Sequence, residues 1–560
     1  MKRDLLLIGV LLFCNQCFSW DLSGIAGSRS NAMGNFSVAL HDFWSVQNNP
    51  AGMADFRTIS LGFSYENRFF MKELSYYNGA FVLPVNFGTF GLSFFGYVQL
   101  AMAVKQPPHL KCICPFECSA ERPPFVNGNG SYAPYHLTWL YNSADDQVRR
   151  LPVSEEEKAR IRAEIEKNRP DIMDQVVKIH PWTDMPALNI EGFHFFDEYM
   201  ESVDGANDLA YWSRIGYPLK PENMPYPVFL CTGWNDHVRD QEMENYRLFQ
   251  KAQETAPDPE RLRLVIGPWS HGPEMSNVIG KIDYGKETAG SEMGIMGMML
   301  RFFDRWLKGK TDAMKDDAPV VYMTLNDKGW KTAEVWPLPE TEYENWYFTS
   351  DGNARSSAGT GKLTPECGSS GEDIKDSAKE DTILHDPMDP VPSELPGLFK
   401  MNGDFSGIQE RQDVLVYTSE PQASDTEFTG PVNAEIWFRC DAEDGDLYVR
   451  LSDVGPDGSA IRITSGELRL RYLESKLEAK YVPEGTVGKY RIAMGDISYL
   501  LPKGHRIRVD IAGSSFPYAD ANLGTKEPLG RGANYRTALL HVLHDGEHPS
   551  FVTLPVIRRS

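Results

Sequence analysis

The ten residues "GLSFFGYVQL" (Gly91–Leu100) admit two readings. Small and apolar residues alternate before them, as in a membrane-type β-strand. An apolar helical run follows them, as it does after the sharp strand-to-helix turn that presents a nucleophilic serine. Which reading holds depends on what lies on either side.

On the N-terminal side, "TISLGFSYENRFF" (Thr58–Phe70) and "GAFVLPVNFGTFGLSFFG" (Gly79–Gly96) have a period of two and predict strands. "AGSRSNAMGNFSVALHDFWSVQNNPAGMA" (Ala26–Ala54) resembles the opening of outer-membrane β-barrel proteins related to fatty-acid channels, with a small-residue Gly motif and an Asn-Pro-Ala-Gly turn. A barrel needs at least about eight strands, which the remainder of the chain does not supply. Ahead of this segment, Lys2 and Arg3, the apolar run Leu5–Phe13 and small Ser19 fit a secretory signal over 1–19. Leu11 to Cys14 weakly resembles a lipoprotein box, with bulky Phe13 where a small residue is expected. The expected location is therefore exported: periplasmic, outer-membrane-associated or secreted. No later run of about 18 apolar residues predicts a spanning helix.

On the C-terminal side the pattern is that of an α/β enzyme. "AMAVKQPPHLKCICPF" (Ala101–Phe116) reads as helix, Pro-Pro break and buried strand. Residues 124–225 are polar and mostly helical, and "SEEEKARIRAEIEK" opens on a capping box of Ser154 and Glu157. "YPVFLCTGWNDH" (Tyr226–His237) and "RLRLVIGPWSHG" (Arg261–Gly272) are short apolar runs ending in Gly-rich polar turns, as buried parallel strands deliver loops. "GMMLRFFDRWLKGK" reads as an amphipathic helix and 351–382 as a loop. From about 428 the runs Val432, Ala434, Ile436, Phe438, then Leu447, Val449, Leu451, then Ile507, Val509, Ile511 alternate as strands of a sandwich or jelly roll.

The 560-residue chain carries a formal charge of −22 and a pI near 5.1, which argues against nucleic acid and anionic membrane surfaces as partners. Neutral or cationic small molecules suit it. Of the eight cysteines, Cys112, Cys114 and Cys118 cluster; a disulfide and buried apolar thiols are the two readings. His541, His544 and His548 are closely spaced but lie beside a predicted strand and turn, so no metal or cofactor is assigned.

Three residues stand out for chemistry, in chain order Ser93, Asp236 and His271, each in a turn after an apolar run. A serine hydroxyl becomes a nucleophile when a histidine takes its proton, and a carboxylate holds that histidine's tautomer. This order is that of the α/β-hydrolases. Singly each is an ordinary turn or strand residue. Together, "GWNDH" and "GPWSHG" resemble the Asp and His loops of the cocaine esterase and Xaa-Pro dipeptidyl-peptidase family of serine hydrolases. "DLAYW" (Asp208–Trp212), "RFFDRWLKG", "GWKTAEVWPLP", "TGPVNAEIWFRCDAEDGDLYVRLSDVGPDG", "GHRIRVDIAGSSFP" and "HDGEHPSFVTLPV" extend that resemblance over about 91–560.

The resemblance implies an α/β-hydrolase core over 91–335 with a helical cap at about 124–225, and a jelly roll over 336–560. It implies an acyl-enzyme on Ser93, in Gly91-Leu92-Ser93-Phe94-Phe95-Gly96 where the family has Tyr after the serine, with the Phe94 N–H as one oxyanion donor. Substrates would be esters, amides or short peptides. Asp240 and Glu242 would bind a substrate ammonium, as acidic residues do in aminopeptidase-like relatives; the alternative is a solvated helix start. Residues 20–90 show neither the family's Arg-Asp-Gly start nor its upstream oxyanion Tyr, so the N-terminal part of the core looks replaced. Two competing functions follow: an envelope protein carrying an inactive hydrolase portion, and a binding module built on the jelly roll. The oligomeric state is not legible.

Overall fold

The computed structural model describes residues 60–67, 75–82, 87–92, 94–118, 130–204, 225–253, 260–272, 275–280, 282–327, 329–365, 380–393, 403–475 and 478–558. Among the described residues, strands β1 (Ser60–Asn67) and β2 (Ser75–Val82) pair only with each other, antiparallel. Strand β3 (Phe87–Leu92) instead joins a six-stranded sheet of order β10-β9-β6-β5-β4-β3. Its neighbours are β4 (Leu110–Phe116), β5 (Val228–Gly233), β6 (Leu262–Gly267), β9 (Val320–Met323) and β10 (Trp330–Ala333), all parallel except β10. The antiparallel reading of the N-terminal strands therefore fits β1 and β2 but not "FGTFGL", and the boundary drawn at residue 90 falls inside β3. A two-residue ladder, β7 (Val278–Ile279) with β8 (Ile282–Asp283), sits in the loop after β6.

Helix α1 (Phe94–Val104) returns from β3 to β4 as a right-handed parallel crossover requires. Gln99 clamps it to the sheet by donating to the Cys114 carbonyl at 3.3 Å and accepting from the Cys114 N–H at 3.2 Å. Gly96 lies where a Cβ would approach Cys118 to 2.9 Å, so this close helix–strand contact needs glycine. Strands β5 and β6 are wholly buried, which explains their unbroken apolar runs.

Between β4 and β5 lie α2 (Tyr135–Arg150), α3 (Glu155–Asn168), α4 (Ile172–Lys178) and α5 (Asp197–Asp204). They close on a separate core of Tyr141, Ile161, Ile165, Trp182, Phe193 and Phe196. Ser154 caps α3 by accepting from the Glu157 N–H at 3.2 Å; the Glu157 side chain turns to Arg160 instead of completing the box. "DLAYW" lies outside the described residues. After β6 and its ladder, helix α6 (Arg239–Gln253), which follows β5, and α7 (Ile295–Lys308) cover the sheet, α7 ending at Gly309 with φ +69°.

The C-terminal unit contains β11 (Glu342–Thr349), β12 (Lys362–Thr364), β13 (Glu380–His385), β14 (Val414–Thr418), β15 (Thr426–Cys440), β16 (Asp446–Val454), β17 (Ala460–Arg469), β18 (Gly488–Leu501), β19 (Arg506–Ala512), β20 (Ala538–Leu543) and β21 (Phe551–Ile557). Its ladders are antiparallel except β12 with β14. The residues read as alternating are its interior: Ala434, Ile436, Phe438, Leu447, Val449, Val509 and Ile511 are completely buried. The stretch read as a loop over 351–382 holds β12, whose three residues pair with β11. One apolar core runs from Leu100, Ile113 and Leu264 through Trp336 to Phe438 and Val509, so both units fold as one body. Polar contacts lock the seam: Trp336 Nε1 donates to Asp496 Oδ1 at 2.8 Å and the Leu325 N–H to the Ser498 carbonyl at 2.8 Å.

Arg469 ties this unit to the cap. It is buried, pairs with Asp446 at 2.7 Å and Asp520 at 3.1 Å, and Asp520 accepts from the Tyr132 N–H at 2.6 Å. Removing the cation strands two carboxylates, so Arg469→Ala is expected to cost about 3–5 kcal/mol of stability in urea unfolding. A cost near zero would mean solvent reaches the pair.

Candidate active site

The site forms where β4, β5 and β6 end. The β5 and β6 loops are laced together: the Trp234 N–H donates to the Gly267 carbonyl at 2.9 Å, the Asn235 N–H to the Trp269 carbonyl at 3.0 Å, and Asn235 Nδ2 to the Pro268 carbonyl at 2.6 Å. A Cβ on Gly233 would lie 2.1 Å from the Trp269 carbonyl oxygen, so glycine is required for the loops to approach. This lacing sets Asp236 against His271, with Asp236 Oδ1 3.1 Å from His271 Nδ1. The same oxygen accepts from the Val238 N–H at 2.9 Å, so Asp236 also forms the turn into α6.

Burial alone would push the Asp236 carboxyl up. The charge of His271 and the hydrogen bonds from His237 and His271 outweigh it and hold the group well below the usual carboxylate range. Asp236 is thus a fixed anion beneath an imidazole whose side chain is 12% exposed, enough to reach a substrate.

Ser93 lies outside the described residues. The elements flanking it are strand β3, ending at Leu92, and helix α1, opening at Phe94. A strand–turn–helix passage is the context that a nucleophile elbow requires. The Phe94 N–H belongs to the first helical turn, whose N–H groups have no partner within the helix and face incoming negative charge.

Asp240 and Glu242 part company. Asp240 opens α6, half-exposed, with Arg239 Nε at 2.8 Å. Glu242 is completely buried; its Oε2 accepts from Asn245 Nδ2 at 3.1 Å and from the Cys118 N–H at 3.4 Å. Burial pushes its carboxyl well up, outweighing those bonds. The reading of Glu242 as an ammonium ligand is therefore corrected: the carboxyl is interior and braces the chain after β4.

Cys112, Cys114, Cys118, Cys231 and Cys440 are free and buried, so among the described residues the clustered cysteines form no disulfide. Burial pushes the thiols of Cys114, Cys118 and Cys231 well up, which keeps them from acting as nucleophiles. The three C-terminal histidines have separate partners: His541 lies beside Glu380, His544 Nε2 is 2.8 Å from Asp381, and His548 lies 3.0 Å from Asp545.

Three residues were passed over. Glu117 follows β4 directly at φ +49°, completely buried; its Oε2 accepts from the Gly272 N–H at 2.8 Å and lies 3.8 Å from His271 Nδ1. An acidic residue closing an apolar run was the available signal. Glu117 positions the His loop, and a charged hydrogen bond of about 1.5 kcal/mol makes Glu117→Gln expected to lower kcat about tenfold with KM nearly unchanged. An unchanged kcat would reduce Glu117 to a packing residue.

His237 and His136 are the others. His237 Nδ1 lies 3.3 Å from Asp236 Oδ1, and its ring meets that of His271 at 4.5 Å between centroids. His136 stacks on Tyr135 at 4.1 Å. Burial, then the charges of His237 and His271, push His136 down to about 3, against its bond to the Ala133 carbonyl. The unfolded chain takes up this proton near pH 6.5 while the folded one does not until about 3, so stability falls on acidification through that window. The slope is about 1.4 kcal/mol per pH unit, so urea unfolding is expected to weaken by about 2 kcal/mol between pH 6.5 and 5, and less in His136→Gln. Equal slopes in both proteins would contradict this.

A buried Asp–His pair at the carboxyl ends of adjacent parallel strands, in a sheet whose strand β3 leads to helix α1, is the arrangement of an α/β-hydrolase. The chain belongs to the CocE/NonD family of X-Pro dipeptidyl-peptidase (S15)-type hydrolases. The model of X-Pro dipeptidyl-peptidase (S15 family) matches residues 84–273, and that of the X-Pro dipeptidyl-peptidase C-terminal non-catalytic domain matches 313–553. Cocaine esterase of Rhodococcus sp. (strain MB1 Bresler) is 30% identical over 493 residues, covering 85% of this chain and 81% of the esterase. A protein named putative serine esterase from Mycobacterium bovis is 28% identical over 273 residues, 45% of this chain and 40% of its own. Two solved structures share the fold. An aminopeptidase from a marine sediment Thaumarchaeota archaeon has TM-score 0.63 at 21% identity, over 84% of this chain and 76% of its own. An α-amino acid ester hydrolase has TM-score 0.62 at 19% identity, over 84% and 76%.

Proposed function

We propose that the chain hydrolyses an ester or amide of a small acyl, aminoacyl or dipeptidyl group through an acyl-enzyme on Ser93. The hydrogen bond between Asp236 Oδ1 and His271 Nδ1 carries this reading, because it leaves Nε2 to act as the base. His271 takes the Ser93 proton as the oxygen attacks the carbonyl, then gives it to the leaving group. The acyl-enzyme is hydrolysed when His271 activates water in the same way. The Phe94 N–H supports the oxyanion. The reading of residues 20–90 finds no counterpart of the family's upstream oxyanion Tyr; one donor fewer costs roughly 100- to 1,000-fold, so slow turnover is expected. Asp240 is left as the carboxylate for a substrate ammonium. The N-terminal pattern supports action outside the cytoplasm. The test is release of nitrophenol from nitrophenyl acyl and aminoacyl esters by the purified chain; failure to hydrolyse any of them while folded would reject the reading.

A second reading, an envelope protein with an inactive hydrolase portion, is favoured by one observation. Among the described residues β3 ends the sheet, pairing with β4 alone, so the strand before Ser93 lacks a second neighbour. Folded, monodisperse protein that is inert to every ester would support it.

A further inference from the structure

We propose that Asp236, His237 and His271 form a zinc-binding site whose occupation switches the hydrolase off. The site rests on geometry, whereas the switch rests on the role given above to His271.

The ligand atoms of these three residues all lie within 4.8 Å of one another. Tetrahedral zinc with nitrogen and oxygen ligands at 2.0–2.2 Å has ligand-to-ligand edges of about 3.3–3.5 Å. Two edges are near that length already: Asp236 Oδ1 is 3.1 Å from His271 Nδ1 and 3.3 Å from His237 Nδ1. The third edge, between the two histidines, is no longer than 4.8 Å. Two imidazoles and a carboxylate, with the fourth position open to water, is a common zinc donor set. A second observation points to a ligand: Asp236 Oδ2, within a side chain of zero exposure, makes no hydrogen bond among the described residues. Glu117 Oε2, 3.8 Å from His271 Nδ1, adds negative charge that a cation would meet. Access runs past the rings of His271 and His237, whose side chains are 12% and 8% exposed.

The consequence follows from imidazole chemistry. Catalysis needs the proton on Nδ1 and the lone pair on Nε2. Zinc binds through a lone pair on Nδ1, so the Nδ1 proton is displaced and the neutral ring carries its proton on Nε2. The ring then has nothing with which to accept the serine proton, and the Asp236 bond that orients it is replaced by the metal. No bond to substrate is made or broken; binding is reversible and a chelator restores the base.

The experiment treats the full chain, stripped with EDTA and dialysed, with zinc chloride. Calorimetry should show one tight zinc per chain, and ester hydrolysis and fluorophosphonate labelling should fall in parallel and return with EDTA. His237→Gln should weaken both binding and inhibition at least about tenfold, with circular dichroism to show it is folded; His237→Asn provides the check if Gln does not fold. Substituting cobalt should give a tetrahedral visible spectrum in the parent that is lost in the variant. Binding of zinc that His237→Gln and His237→Asn leave unchanged overturns the site. Tight binding at these residues with full activity overturns the switch. Should the chain hydrolyse nothing, zinc binding lost in His237→Gln keeps the site while the hydrolase reading falls.

Discussion

Ser93→Ala is expected to reduce hydrolysis of an activated ester by at least about 10⁴-fold, to the level of the buffer, with the fold intact. Members of such a triad act as one unit, so removing the nucleophile removes what His271 and Asp236 contribute as well. The residual would come from binding and the Phe94 N–H alone. The substitution deletes one hydroxyl between β3 and α1, and the clamp of Gln99 on Cys114 and the contact of Gly96 with Cys118 are untouched. A parent rate in Ser93→Ala would make "GLSFFG" a strand end.

The second large effect is expected of Asp236→Asn, about 10⁴-fold in kcat. The amide has nearly the shape of the carboxylate, but the single atom Oδ1 serves both the Val238 N–H and His271 Nδ1. An amide nitrogen placed there loses the Val238 bond and donates to Nδ1, forcing the imidazole proton onto Nε2, while an amide oxygen placed there keeps both contacts but not the charge that stabilises the imidazolium. It also removes the buried anion that His237 and His271 share at 3.3 and 3.1 Å. Steady-state kinetics on nitrophenyl esters, with KM read separately, checks this; a loss under tenfold would place Asp236 as a turn former, which its bond to Val238 shows it also is.

Where local pattern and tertiary environment agree, the molecule is legible in its sequence. Strands β5 and β6 are apolar throughout because both faces are covered, and their loops announce themselves by "GWNDH" and "GPWSHG". The alternation of Val432 to Phe438 is the imprint of one buried face. Strand β3 departs from the antiparallel reading for a physical reason. It carries Gly and Phe as the residues before it do, and such a composition says that a segment is extended without saying whether its partner runs parallel. Only pairing with β4 shows that. Glu242 illustrates the other limit. Charge at a helix start predicts solvent, but here the first turn packs against Cys118, and burial pushes the Glu242 carboxyl up. His136 and His237 carry no pattern of their own, and Glu117 only that of an acid closing an apolar run. They join the site because β4, α2 and the β5 loop converge in space, from positions far apart in the chain.

Whether Ser93 is an activated nucleophile is read by labelling the purified, folded chain with a fluorophosphonate and locating the adduct by peptide mass spectrometry. One adduct per chain is expected, on Ser93, lost in His271→Ala. An adduct on a different serine, or none on folded protein, would contradict it.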